Sequence, residues 1–250
     1  MRIIEYSRNI FNSWLVLISE SYTFFLGAFS LAASRLFQLV TFFLPLKILI
    51  TVSSGHEPSY INWLPWDISF DFLVYSLICM VPFFYIMYIV FGILSRRWFD
   101  ISLDIFLKNR PHVVKNKEIQ GLKKLHNHIG KAGSELLLCI LSLLLVAFVN
   151  ISLFCMIASL ILLTMLFVFK TALSMSDADR FGFFKLHRKQ CIEYFLSVNF
   201  ILTFIAILSL VQYFNLGVVE AIFTLLISRM LFQALQRYCI ENLYINGKSI

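Results

Sequence analysis

Four charged side chains stand where charge is costly. Arg35, Lys47, Glu220 and Arg229 each interrupt an apolar stretch. Ionisable groups at membrane depth line polar paths for ions, protons or charged substrates. They are also accommodated near an interface, where a long stem carries the charge out to water. The interfacial reading is the one favoured, because each residue falls within about two or three helical turns of an expected span end, and the polar path stays open as the alternative. Glutamate reaches less far than lysine or arginine, so Glu220 needs a partner. Lys47, at similar expected depth, is the candidate.

Motifs for other chemistry are incomplete or absent. Gly247-Lys248-Ser249 matches the end of a phosphate-binding loop, but Asn242 stands where its first glycine belongs. Gly130-Lys131 fails likewise, with Leu125 and Ala132 at the diagnostic positions. There is no H-E-x-x-H and no G-x-S-x-G. His126 and His128 point to different faces of a helix, which argues against a shared metal. Asp177 and Asp179 have no ligand cluster around them. The cysteines at 79, 139, 155, 191 and 239 form no C-x-x-C and read as small buried apolar residues. The expectation is a protein that is not an enzyme and holds no cofactor or metal.

The elements that must position these residues follow from composition. Of 250 residues 60% are hydrophobic and 14% charged, with mean hydropathy +0.83. A soluble domain is roughly 45–50% apolar and about 25% charged. The net charge of +7 sits in segments between apolar runs, where anionic lipid headgroups are the expected partner and nucleic acid is not. The fold class expected is all-α, a polytopic membrane bundle of six helices.

Residues 1–22 read as an amphipathic helix in the interface, with Ile3, Ile10, Trp14, Leu17 and Ile18 on one face. The first span is expected over about Phe24–Val52, and the second over Phe70–Leu94, bent at Pro82. Residues 95–133 carry nine Lys and Arg and two helical patterns flanking Pro111. Residues 136–169 contain no charge. One helix of that length would be about 51 Å long, against about 30 Å of hydrocarbon. A hairpin turning at Asn150-Ile151-Ser152 fits better. Residues 170–193 are basic again. Spans five and six are expected over Tyr194–Phe214 and Leu216–Leu235, with 237–250 as a short tail. The transmembrane domain is thus 23–236. Fourteen Lys and Arg in 95–133 and 170–193, against none in 53–67 and 212–219, place the basic segments and both termini in the cytoplasm.

This order resembles the transmembrane half of an ABC exporter of the six-helix type. Leu44-Pro45-Leu46-Lys47-Ile48-Leu49-Ile50 is similar to the end of that family's first helix. Ser95-Arg96-Arg97-Trp98-Phe99-Asp100 is similar to the arginine-rich extension of the second, and Leu216 to Leu231 to the sixth. The resemblance implies transport by a dimer in the cytoplasmic membrane, with the ATPase expected on a separate chain. It implies docking of that ATPase around Arg110, Pro111, Lys115, Lys117 and Glu118, and around Asp177, Asp179 and Arg180. Two alternatives stay open. One is a non-transporting accessory, assembly or immunity membrane protein on a degenerate exporter scaffold; the other is an ATP-independent channel or carrier.

Overall fold

The computed structural model describes residues 14–15, 17–54, 69–109, 116–171, 180, 186–214 and 217–246. Six long helices account for nearly all of them: α1 (Tyr22–Ser54), α2 (Phe70–Lys108), α3 (Asn116–Val149), α4 (Ile151–Thr171), α5 (Arg188–Phe214) and α6 (Val218–Asn246). All six contain a stretch long and apolar enough to cross a membrane. The chain is an all-α, multi-pass membrane protein.

The helix ends have local causes. Ser69 caps α2, its hydroxyl accepting from the Phe72 amide at 3.4 Å, with Asp71 favourably placed in the first turn. At the far end the Asn109 amide bonds the Ile105 carbonyl. Asn150 is the single residue between α3 and α4. Its side-chain oxygen accepts from the amides of Ser152 (2.9 Å) and Leu153 (3.2 Å), which satisfies two donors that a new helix would otherwise leave unpaired. The break therefore falls where the 34-residue uncharged run required one.

The side-chain pairs give the directions. Ser95 bonds the Gly27 carbonyl, Ser34 bonds the Tyr88 carbonyl, and the Phe37 ring meets Phe84. Numbers climb on α1 as they fall on α2, so the two are antiparallel. The same holds for α3 and α6 through His128–Glu241, Glu135–Arg237 and Cys139–Leu231. It holds for α4 and α5 through Thr164–Asn199 and Phe167–Phe195. By contrast Phe24–His126 and Arg35–Glu135 show α1 and α3 to be parallel.

Several segments run further than the sequence suggests. Residues 95–108 continue the second span as one helix, because neither Gly nor Pro interrupts it after Gly92. Residues 116–135 continue into the third, since Gly130 and Gly133 sit inside a helix already fixed by packing. At 39 and 34 residues, α2 and α3 are about 58 and 51 Å long. Both therefore outrun a bilayer at the basic end. Helix α6 passes through Glu220 and Arg229 without a break and extends to Asn246, beyond the expected end at Leu235.

The main core lies where α3, α5 and α6 meet, around Leu138, Val146, Ile192, Leu196, Ile227 and Leu231. A second cluster at the basic end joins Leu17, Phe24, Phe106, Leu125 and Ile129. Here Trp14, Leu17 and Ile18 join the cluster with Leu125, Ile129 and Ala132 of α3, the Trp14 ring lying over Gly133, while residues 1–13 of the expected interfacial helix lie outside the described residues. Phe99 occupies the space left by Gly27 and Gly130. The lipid-facing surface is broad: Phe72, Tyr75, Phe83, Ile86 and Ile93 along α2 are all exposed.

Candidate functional site: a guanidinium-lined cavity

Glu135 is 2% exposed, at the point where the apolar part of α3 begins. A carboxylate taken out of water needs a cation and hydrogen bonds. Arg35 supplies both from α1, its guanidinium bonded to Oε1. Arg237 approaches the same oxygen from α6 at 3.9 Å. One acid thus ties three helices together. Two turns nearer the basic end, His128 on α3 meets Glu241 on α6 at 2.5 Å, and the His128 ring stacks on Tyr244.

A cavity of about 540 Å³ opens beside this cluster, between α1, α3 and α6. Helix α1 contributes Arg35, Gln38, Leu39, Phe42 and Leu46, and α6 contributes Leu226, Arg229, Met230, Gln233 and Arg237. The steps are three, one, three and four residues on α1, and three, one, three and four on α6, which keeps each set on one helix face. A second cavity, about 720 Å³, lies between α1, α2 and α3. Arg35 and Gln38 line that one too, with Arg96, Asp100, Asn127 and Lys131.

The structure brings together two of the four membrane-depth charges, Arg35 and Arg229. Lys47 and Glu220 line neither cavity. They fall at one level of the bundle all the same. The Phe43 and Phe223 rings lie 4.7 Å apart, and Lys47 and Glu220 stand about one turn further along their helices in the same direction. Of the docking residues, Arg110, Pro111, Lys115, Asp177 and Asp179 lie outside the described residues. Lys117 and Glu118 open α3, and Arg180 is exposed and hydrogen-bonded to His187.

Sequence reading misses Glu135 and Arg237. Glu135 immediately precedes the uncharged run and looks like its polar boundary; Arg237 looks like the start of a tail. A usable signal does exist. His128 and Glu135 are seven apart on one helix, Arg237 and Glu241 four apart on another, and such spacings each place charge on a single face.

His126, the other histidine of the pair, is buried and bonded through one ring nitrogen, while its Nδ1 has no hydrogen-bond partner among the described residues. It shares a hydrogen bond with Ser102 at 3.2 Å and packs edge-on against Phe24 and Phe99. Of the cysteines, Cys139, Cys191 and Cys239 are buried as expected, whereas Cys79 and Cys155 are not: they lie on the exposed faces of α2 and α4. Compared with protein-family models, with curated proteins and with solved structures, the chain matches none.

Proposed function

We propose that the chain is the membrane-spanning subunit of an ABC-exporter-like transport system, with the ATPase on a separate chain and two six-helix halves forming the pathway. The observation that carries this reading is the continuity of α2 and α3 past the bilayer at the basic end. Lys108, at the end of α2, and Asn116, at the start of α3, therefore stand well clear of the lipid. A motor bound at those two helix ends has a lever on each: α2 and α3 both reach the cavities that Arg35 lines. In such a scheme ATP binding elsewhere selects between two packings of the bundle. The positive-inside rule puts this end, and both termini, in the cytoplasm.

Isolation of the intact chain from its native membrane in mild detergent tests the reading. A nucleotide-binding subunit should co-purify, and Lys115→Glu with Lys117→Glu should release it while leaving the chain monodisperse. Retention of an ATPase unchanged by these substitutions, or its absence from a preparation that still transports, contradicts the reading. A second reading, an ATP-independent carrier or channel, is favoured by the guanidinium-lined cavity itself. It requires conductance or flux from the purified chain alone.

A further inference from the structure

The cavity between α1, α3 and α6 changes character along its length. Helices α1 and α6 line it in opposite directions. Arg35 and Arg237 therefore fall at one end, joined through Glu135, and Phe42, Leu46 and Leu226 fall at the other. The two ends are about 16 Å apart along either helix. Phe42 and Leu46 are exposed, so the apolar end opens onto the surrounding hydrocarbon. Arg229, Gln38 and Gln233 lie between.

Charge is unbalanced here. Three guanidinium groups line the cavity, and the one carboxylate beside it, Glu135, is approached among the described residues by Arg35 and Arg237 only. Glu241, the next acid along α6, is engaged by His128. Arg229 makes no ion pair among the described residues. Beyond Arg35, the neighbouring cavity adds Arg96 and Lys131 against Asp100. Fixed guanidinium groups beside hydrocarbon call for a counter-anion. The planar fork of arginine matches phosphate oxygens in pairs.

We propose that this cavity binds a phosphate-bearing head, with Arg229, Arg35 and Arg237 as its donors. The ligand is an anionic amphiphile of the membrane, whose chain lies against Phe42, Leu46 and Leu226. Free phosphate shares the head chemistry but makes no use of the apolar end. The proposal is independent of whether an ATPase drives the chain.

Native mass spectrometry of the full chain in detergent tests it with three probes: phosphatidic acid, phosphatidylcholine and inorganic phosphate. The chain should retain phosphatidic acid at least about tenfold more strongly than phosphatidylcholine. Arg229→Gln should reduce that retention about tenfold, equivalent to about 1.4 kcal/mol. Arg229 suits the test because it holds no carboxylate in place, so its loss leaves the Glu135 cluster intact. Arg229→Lys should restore part of the affinity. Lys189→Gln, at an exposed position on α5, should leave it unchanged. Displacement of the lipid by inorganic phosphate at matched concentration assigns the cradle to a soluble anion and overturns the lipid source. Equal retention of the two lipids, or a preference untouched by Arg229→Gln in a monodisperse protein, overturns the site.

Discussion

Arg35 and Glu135, one hundred residues apart in the chain, form an ion pair that joins α1 to α3 inside the bundle. The arginine is a quarter exposed and the glutamate almost wholly buried. The pair is therefore asymmetric: the carboxylate depends on the guanidinium far more than the reverse. Arg237 adds a second, longer contact from α6.

Removing Arg35 leaves Glu135 with only that longer contact. Arg35→Gln should destabilise the protein by roughly 3–5 kcal/mol, the range for breaking a buried pair. Arg35→Gln combined with Glu135→Gln should be less destabilised than the sum of the two single changes, since no charge is then stranded. Thermal unfolding in detergent, followed by monodispersity, measures the cycle. Strict additivity would show that the two residues do not interact.

Glycine spacing at the basic end gives a second prediction. A Cβ at Gly130 would lie 2.7 Å from Cε1 of Phe99. The ring cannot retreat freely because it also packs against Phe24 and His126. Gly130→Ala should cost about 1–3 kcal/mol by overpacking. Gly121, on the same helix, has open space on that side: a Cβ there would meet nothing within 4 Å. Gly121→Ala should be neutral or stabilise by up to about 1 kcal/mol, through helix propensity. The two alanine variants, melted side by side, should separate in opposite directions.

A contact between two sulfur atoms marks the hairpin at Asn150. Cys239 Sγ lies 3.9 Å from Met165 Sδ. Cys239 sits between Arg237 and Glu241, which face Glu135 and His128 of α3. Met165 is as far beyond Asn150 as Glu135 is before it, so the chain has doubled back. A reporter inserted after Ser152 should lie on the side opposite a reporter at Lys117. Reporters on the same side would require a single crossing.

Much of this fold is legible from hydrophobic length alone. The uncharged run 136–169 is too long for one crossing and carries one turn signal, Asn150. Span boundaries at the basic end are not legible, because α2 and α3 leave the apolar region without leaving the helix. Arg96, Arg97, Lys123 and Lys124 end a hydropathy signal, yet they are good helix formers. The site is half legible. Arg35 and Arg229 stand out because apolar neighbours surround them. Glu135 and Arg237 do not, since a charge at the edge of a run carries no mark of its burial, which only the third dimension supplies.

Lys47 and Glu220 provide a separate test of helix α6. The Phe43–Phe223 contact sets them at one level, and Glu220 is exposed there. Glu220→Gln should lower the melting temperature, and adding Lys47→Gln should recover much of the loss by removing an unmatched charge. Independent effects would place the two charges apart.

The central claim is an even number of crossings, with the basic end of α2 and α3 in the cytoplasm and the C-terminus beside it. Single cysteines at Lys117 and Ser249, in a background where the five native cysteines are replaced, test it directly. In intact cells a membrane-impermeant thiol reagent should label neither, and both should react once the membrane is opened. Labelling of Ser249 from outside, with Lys117 still protected, would contradict the six-span account and the exporter reading built on it.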